Sequence, residues 1–137
     1  MKKNQSILSA VISNNDLSEM KVAVELTKQA GKIGFDWPSI DFVFDKMQEE
    51  LEELREAMKS GNQKEIIDET GDVLFVACNI ARHLNVDPQV ALKGTNEKFI
   101  ERFLQVENLA RQRHPEQSKY DLATLDQLWN DVKKNNQ

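Results

Sequence analysis

Hydrophobic residues recur along most of the chain at spacings of three and four, which places their side chains on one face of an α-helix. The strict apolar–polar alternation of a half-buried β-strand does not occur. Breaks in the pattern coincide with glycine, proline and capping residues, which end and restart helices. The pattern therefore predicts an all-α protein, a helical bundle of about five helices with short connections.

The predicted helices begin at residues that can cap a first turn, or at proline, and each ends where the periodicity breaks. The predicted spans are Ser18 to Ile33, Ser39 to Ser60, Asn62 to Leu84, Asp87–Pro88 to Arg113, and a short last helix with a capping box at Thr124 and Gln127. Residues 1–17 are predicted to form an N-terminal tail or short arm, and residues 18–137 one helical domain.

Three of these helices carry an apolar stripe that is expected to face the core. Phe75 lies opposite the stripe of its helix, which predicts a second buried face and therefore self-association. The predicted stripes are Phe44, Met47, Leu51, Leu54 and Met58 in the second helix, Ile66, Val73, Ala77, Ile80 and Leu84 in the third, and Thr95, Phe99, Val106 and Ala110 in the fourth.

Composition narrows the class of protein. A chain of 137 residues with 39% hydrophobic and 30% charged residues is typical of one soluble globular domain. A net charge of −5 argues against binding to nucleic-acid polymers or anionic membranes. The single cysteine, Cys78, excludes a disulfide within the chain and is expected to be buried. No apolar run approaches the roughly 20 residues of a membrane span, so we expect a cytoplasmic protein.

Four glutamates surround two leucines in the segment EELEEL, residues 49–54. At about 100° per residue, Glu49, Glu52 and Glu56 lie away from the apolar stripe and are expected to be solvated. Glu50 and Glu53 lie instead on one flank of the stripe, three residues apart and therefore neighbours on the helix surface. The acidic run thus divides into surface and flank glutamates.

The third predicted helix repeats this arrangement with Glu69 and Asp72 on one flank of its stripe. If the two helices pack antiparallel, four carboxylates converge beside the core and raise one another's pKa values, unless a hard divalent cation binds them. Oxygen-only ligands suit Mg²⁺ or Mn²⁺. The alternative is two ordinary pairs of helix-flank acids that meet basic partners or water.

A basic pair, Lys98 and Arg102, lies four residues apart along one flank of the fourth predicted helix. A lysine and an arginine in one row suit phosphate oxygens, because the arginine offers a bidentate fork. The alternative is pairing with Glu101 or with the acids of the third helix. Two acid pairs and a basic pair together are what a metal-bound polyphosphate requires.

The segments KMQEELEEL and DETGDVLF resemble, in this order, the EExxE and ExxD motifs of the MazG family of all-α nucleoside triphosphate pyrophosphohydrolases. GFDWPSIDFVF, ARHLNVDP and NEKFIERF are similar to flanking stretches in the catalytic half of long MazG proteins. The resemblance covers roughly residues 30–110. It departs from the family in two respects: long MazG proteins carry two such domains, and Glu65 and Asp68 occupy the turn where basic residues often precede ExxD.

Carried over by position, the resemblance implies a Mg²⁺ site, with Mn²⁺ as the alternative ion, and a nucleoside triphosphate substrate. Trp129 is expected either to stack on a base or to pack in a core or dimer interface, and Lys46 to support the acids or the phosphates. The implied metal ligands are Glu50, Glu53, Glu69 and Asp72. The implied substrate-binding residues are Lys98, Arg102, Lys46, Asn96 and Trp129.

The family implies hydrolysis between the α and β phosphates, which yields a nucleoside monophosphate and pyrophosphate, and a homodimer or homotetramer. Water activated by the metal would attack the α-phosphorus, and Glu53 or Glu50 would accept its proton. Two alternatives are a pyrophosphohydrolase specialised for one modified or deoxy nucleotide, and a catalytically silent helical interaction module. A di-iron bundle needs Glu-x-x-His motifs, and neither His83 nor His114 follows a glutamate by three residues.

Overall fold

The computed structural model describes residues 5–136, and this part of the chain contains six α-helices and no β-strand. The all-α prediction is confirmed, and one additional helix of a single turn lies within the predicted tail or arm. None of the helices in residues 5–136 is both long and apolar enough to cross a membrane. The helices are α1 (Ser9–Ile12), α2 (Glu19–Lys32), α3 (Ile40–Ser60), α4 (Gln63–His83), α5 (Pro88–Arg113) and α6 (Leu122–Asn135).

Four helix starts agree with the capping residues expected from the sequence. The side chains of Ser18, Ser39 and Asn62 each accept a hydrogen bond from a backbone N–H of the first turn of α2, α3 and α4. Asp87 does the same for α5, with its carboxylate 2.9 Å from the backbone nitrogen of the second helical residue. Gly61 ends α3 with a φ of 70°, a left-handed conformation that glycine adopts without a steric penalty.

The start of the last helix differs from the prediction. The side chain of Asp121 accepts a hydrogen bond from the backbone nitrogen of Thr124 at 2.8 Å, so α6 begins at Leu122. The capping box proposed for Thr124 and Gln127 is therefore wrong. Asp121 lies three residues before Thr124 and is an equally good capping residue. With Asp121 as the cap, the helix is longer by almost one turn than predicted.

The chain divides into two compact units: unit 1 ends at Val90 and unit 2 begins at Ala91. Within unit 1, α4 packs along α3 and also against α2. Because only Gly61 and Asn62 separate α3 from α4, the two long helices run antiparallel as a hairpin. This hairpin positions the acidic residues of both helices.

The face of α3 that packs against the rest of unit 1 is not the predicted apolar stripe. Met47 and Leu54 are half-buried as expected, but the packed face is rotated by about 70° relative to the predicted stripe and has Glu50 at its centre. The buried residues of α3 are Val43, Glu50 and Ala57. The stripe residues that remain 46–64% exposed, contrary to the prediction, are Phe44, Leu51 and Met58.

The prediction for α4 is correct for three of its five stripe residues. Cys78 is 3% exposed, as expected, and burial raises the pKa of its thiol. Phe75, which was expected on a second buried face, is 37% exposed and lines a cavity beside α2, because α4 packs against two helices. The stripe residues that are half-buried are Ile66, Val73 and Ile80, whereas those that are exposed, contrary to the prediction, are Ala77 and Leu84.

Unit 2 has a small hydrophobic core of its own. Its buried residues come from α5 and α6, and Trp129 packs against them from the side. Thr95 and Phe99 are exposed, so the predicted α5 stripe is correct only in its C-terminal half. A 2.7 Å ion pair joins Arg113 to Asp131. The four buried core residues are Val106, Ala110, Leu128 and Val132.

Candidate metal centre

The α3–α4 hairpin brings three carboxylates together. One carboxylate oxygen each from Glu50, Glu69 and Asp72 lies within 4.8 Å of the other two. Glu69 and Asp72 are neighbours on α4 because they are three residues apart, and α3 presents Glu50 to them from its buried face. Three of the four residues predicted as metal ligands therefore meet at one point.

Two oxygen atoms in this cluster are buried without a partner. Glu50 is 6% exposed, and neither its Oε2 nor the Oε2 of Glu69 forms a hydrogen bond with any group in residues 5–136. Leaving a buried polar atom unpaired costs free energy, and the cost is larger for a charged group. The cluster is therefore unfavourable as it stands, and a cation between the carboxylates would relieve it.

The pKa values of two cluster residues are shifted in the direction expected for crowded acids. Burial raises the pKa of Glu69, and the charges of Glu53 and Asp72 raise it further. Burial also raises the pKa of Asp72, followed by the charge of Glu50. The direction of both shifts agrees with the repulsion expected between crowded carboxylates.

Lys46 lies one turn before Glu50 on α3 and contacts it directly. Its Nζ is 3.2 Å from Glu50 Oε1 and 3.4 Å from Glu49 Oε1. The hydrogen bond to Glu50 is the main cause that raises the pKa of Lys46. This contact pairs Oε1 of Glu50 with Lys46, whereas the buried Oε2 has no hydrogen-bond partner in residues 5–136, so Lys46 restrains the orientation of the carboxylate.

Glu53, the fourth predicted ligand, is exposed, and its charge is near enough to raise the pKa of Glu69. It does not join the cluster of three and remains exposed, on the side of Glu50 that faces away from Met47 and Leu54. Together with other glutamates it lines an open cleft of about 640 Å³. The glutamates expected to be solvated are 58–69% exposed: Glu49, Glu52 and Glu56.

The donor set fits a hard divalent cation. All three ligands offer carboxylate oxygens, which Mg²⁺ and similar ions prefer, and no histidine or cysteine in residues 5–136 joins the cluster. The unpaired oxygens of Glu50 and Glu69 would gain a partner from such an ion. The cluster could therefore hold a metal ion.

The remaining predicted site residues belong to unit 2. Asn96 and Lys98 are exposed on α5, whereas Arg102 is half-buried. The ion pairs of unit 2 join Lys93 to Glu97 and Arg113 to Asp131, so pairing of Lys98 or Arg102 with Glu101 is not observed among its described residues. Trp129 packs against the core of unit 2, with its ring 5.5 Å from that of Phe99. The roles of these residues in binding substrate stay predictions.

One feature of unit 1 was not predicted from the sequence. The segment GFDWPS, interpreted only as a break between helices, supplies Phe35 and Trp37 to a cavity of about 460 Å³ that α2 and α4 complete. Two aromatic residues in a short connection were the available signal. Its contact with the end of α4 could not be read from spacing, since Arg82 lies 46 residues after Asp36 in the sequence.

The fold and the site together define a class: an all-α protein with a candidate divalent-cation site between two antiparallel helices. Residues 22–98 match the model of the phosphoribosyl-ATP pyrophosphohydrolase family, and the chain belongs to this family. The matched stretch contains the whole acidic cluster and ends at Lys98.

Two curated relatives agree with this assignment. The chain is 36% identical over 114 residues to the nucleoside triphosphate pyrophosphohydrolase of Escherichia coli K12, an alignment that covers 82% of this chain and 43% of the relative. It is also 36% identical over 114 residues to the nucleoside triphosphate pyrophosphohydrolase/pyrophosphatase MazG of Thermotoga maritima, covering 83% of this chain and 44% of that protein. The chain spans less than half the length of these relatives, and the resemblance to MazG proteins is confirmed.

Proposed function

We propose that this chain hydrolyses nucleoside triphosphates to a nucleoside monophosphate and pyrophosphate, with Mg²⁺ as the metal. The observation that carries the proposal is the carboxylate cluster, in which Glu50 and Glu69 each keep a buried oxygen without a partner. The relatives named as nucleoside triphosphate pyrophosphohydrolases support the choice of reaction. Phosphoryl chemistry depends on positioning and charge neutralisation, and an acidic helix pair that holds a cation supplies both.

Each residue of the site has a separate role in the proposed reaction. Glu50, Glu69 and Asp72 would hold the ion, which when bound supplies Lewis-acid polarisation of phosphate oxygens. Lys46 keeps the Glu50 carboxylate oriented through its 3.2 Å contact. The attacking water forms a bond to the α-phosphorus while the bond from that phosphorus to the bridging oxygen breaks, and pyrophosphate leaves.

Glu53 is the candidate base for this water. It is exposed to the cleft and adjoins Glu69, so it can accept the proton without serving as a ligand of the ion. Glu50 is less suited to this task because its Oε1 already pairs with Lys46. Lys98 and Arg102 are the candidates for stabilising the negative charge that develops on the departing pyrophosphate.

Product analysis tests the proposal. The protein is incubated with Mg²⁺ and a panel of ribo- and deoxyribonucleoside triphosphates, and the products are separated by ion-exchange chromatography. We expect equal amounts of monophosphate and pyrophosphate. Asp72→Asn should lose this activity because it removes a ligand carboxylate. Asp45→Asn changes an exposed acid of α3 outside the cluster and should retain it. Formation of nucleoside diphosphate and phosphate, or unchanged turnover in Asp72→Asn, would contradict the proposal. The relative rates across the panel show which base and sugar are preferred.

We also propose that the chain self-associates through the exposed face of α3. Phe44, Leu51 and Met58 recur every seventh residue and form an apolar row that unit 1 leaves open. A row of this kind at heptad spacing is suited to packing against another helix. The expected assembly is a homodimer or homotetramer.

Leu51 lies in the middle of this row, so Leu51→Glu is expected to reduce the mass measured by sedimentation equilibrium to that of a single chain. The added charge would have to be buried without a partner in the assembly, which costs several kcal/mol at order of magnitude. Gln112→Glu adds the same charge at an exposed position of α5 and is the control. A monomeric wild-type protein, or an unchanged mass in Leu51→Glu, would refute this interface.

A further inference from the structure

A cavity of about 360 Å³ lies between α2 and the connection from α4 to α5, Leu84 to Asp87. Its volume is within the range of sites that hold small molecules. All of its lining residues belong to unit 1, and none of them belongs to the carboxylate cluster. Arg82, which lines the cavity, follows Asp72 by ten residues, or about 15 Å along α4, so this space is separate from the candidate metal centre.

The walls of this cavity are held by contacts that form without a ligand. Arg82 donates a hydrogen bond from Nε to Asn79 Oδ1 and another from Nη2 to Asp36 Oδ1, both at 2.8 Å. The connection turns at Asn85, whose φ of 58° is a left-handed conformation that asparagine adopts more readily than most residues. The guanidinium and the connection are therefore restrained before binding, which reduces the entropy lost when a ligand enters.

The cavity carries charges of both signs, and several of them already have a partner. Lys21 Nζ lies 3.9 Å from Asp87 Oδ2, and Arg82 Nη2 lies 2.8 Å from Asp36 Oδ1. Because these opposite charges offset one another, an ion of a single sign gains little net attraction from them.

Two further charges in the lining, one of each sign, are open. Glu25 and Lys28 are three residues apart on α2, a spacing at which opposite charges commonly pair, yet neither belongs to an ion pair of the described residues. Glu25 is half-buried and Lys28 is exposed. The cavity therefore offers a free carboxylate and a free ammonium side by side, which suits a ligand that itself carries both charges.

Three apolar side chains complete the match to such a ligand: Val24 of α2, Val86 of the connection and Pro88 at the first position of α5. Pro88 is buried and Val24 half-buried, so they form an apolar floor beside the open charges. Arg82 adds donors, because its Nη1 forms no hydrogen bond with any group in residues 5–136. A guanidinium nitrogen is a strong donor to a carboxylate.

We propose that this cavity binds a free α-amino acid with an aliphatic side chain. The ammonium of the ligand pairs with Glu25, and its carboxylate with Lys28 and Arg82. Its side chain lies against Val24 and Pro88. The site goes beyond the proposed reaction and does not depend on it. Since α2, the end of α4 and the start of α5 all contribute, a bound amino acid ties the α4–α5 connection to α2 and stabilises it.

A chemical-shift titration of the ¹⁵N-labelled full chain tests this site, with L-leucine as the probe. Two analogues each lack one charge: 4-methylpentanoate has no ammonium, and 3-methylbutylamine has no carboxylate. We expect leucine to cause saturable shifts of the amides of Val24, Val86 and Gln89. Each analogue should bind about tenfold more weakly or less, because a charge-assisted hydrogen bond is lost.

Two variants that each remove one charge assign the contacts. Lys28→Gln should weaken leucine binding about tenfold and leave 3-methylbutylamine unchanged, because only leucine presents a carboxylate. Glu25→Gln should weaken leucine binding to a similar extent and leave 4-methylpentanoate unchanged. Lys64→Gln and Glu116→Gln remove the same charges at exposed positions outside the cavity and are the matched controls.

Three results would overturn the inference. Shifts that increase with leucine without saturation would mean that the cavity is not a binding site. Binding of 4-methylpentanoate as tight as that of leucine would mean a site for anions, without a contact to the ammonium. Equal weakening of leucine binding in Lys28→Gln and Lys64→Gln would mean a general effect of charge. Each of these results leaves hydrolysis to monophosphate and pyrophosphate standing, because the reaction uses different residues.

Discussion

Replacing Glu50 with glutamine is expected to lower nucleotide turnover at least about 100-fold while the helical circular dichroism stays unchanged. Glutamine has nearly the same volume, and its amide oxygen can still accept a hydrogen bond from Lys46, so the packing of α3 on α4 is preserved. The substitution removes the negative charge from the most buried carboxylate of the cluster. Steady-state rates of pyrophosphate release measure the effect.

The same variant separates metal binding from folding. In the wild-type protein, Mg²⁺ at 100 times its dissociation constant is expected to stabilise the folded state by about 2.7 kcal/mol, and Glu50→Gln should lose this gain. Without metal, Glu50→Gln should melt at the same temperature or higher, because a buried, partnerless charged oxygen is replaced by a neutral amide.

The matched control is Glu52→Gln, two residues away on α3, where the side chain is 69% exposed. It removes the same charge without touching the cluster, so turnover and the Mg²⁺-dependent shift in melting temperature should both be retained. A Mg²⁺ shift in Glu50→Gln equal to that of the wild type would show that the cluster does not hold the ion. Full turnover in that variant would exclude Glu50 from the reaction.

Secondary structure could be predicted closely because its determinants are local. Helix starts depend on side chains such as Ser39 and Asn62 that bond to the adjacent backbone, and these are visible in the sequence. The orientation of each helix could not be predicted in the same way. The stripe containing Leu51 is the more apolar face of α3, yet the chain packs α3 through the face that contains Glu50. An apolar stripe indicates a face that needs a partner, and the partner can be another chain.

The site was only partly predictable for the same reason. Spacing alone paired Glu50 with Glu53 and treated them alike, whereas the fold buries the first and leaves the second exposed. The prediction for Glu69 and Asp72 depended less on the exact orientation of the helix, because α4 packs against neighbouring helices on two sides. The cavity at Trp37 depends on a contact from Asp36 to Arg82, separated by 46 residues, which no local pattern encodes.

Leu128→Ala is expected to lower the free energy of unfolding of unit 2 by about 2–5 kcal/mol, the cost of removing a large buried aliphatic side chain. Leu128 is 2% exposed and, with Val106 and Val132, forms most of the core that joins α6 to the C-terminal half of α5. Unit 2 has few other buried residues, so the remaining core cannot compensate for the cavity. Hydrogen exchange of the α6 amides, measured against those of α4, gives the local change in stability.

Leu122→Ala is the matched control, since Leu122 is 74% exposed at the first position of α6 and its truncation should change stability by less than about 0.5 kcal/mol. In Leu128→Ala, faster exchange could be confined to unit 2 while α4 keeps its Mg²⁺-dependent protection. This result would mean that the carboxylate cluster folds and binds its ion through unit 1 alone. Equal acceleration in both units would mean that α5 and α6 are required for the acidic hairpin to form. That second result would contradict the division of the chain into a metal-binding unit and a separately stabilised pair of helices.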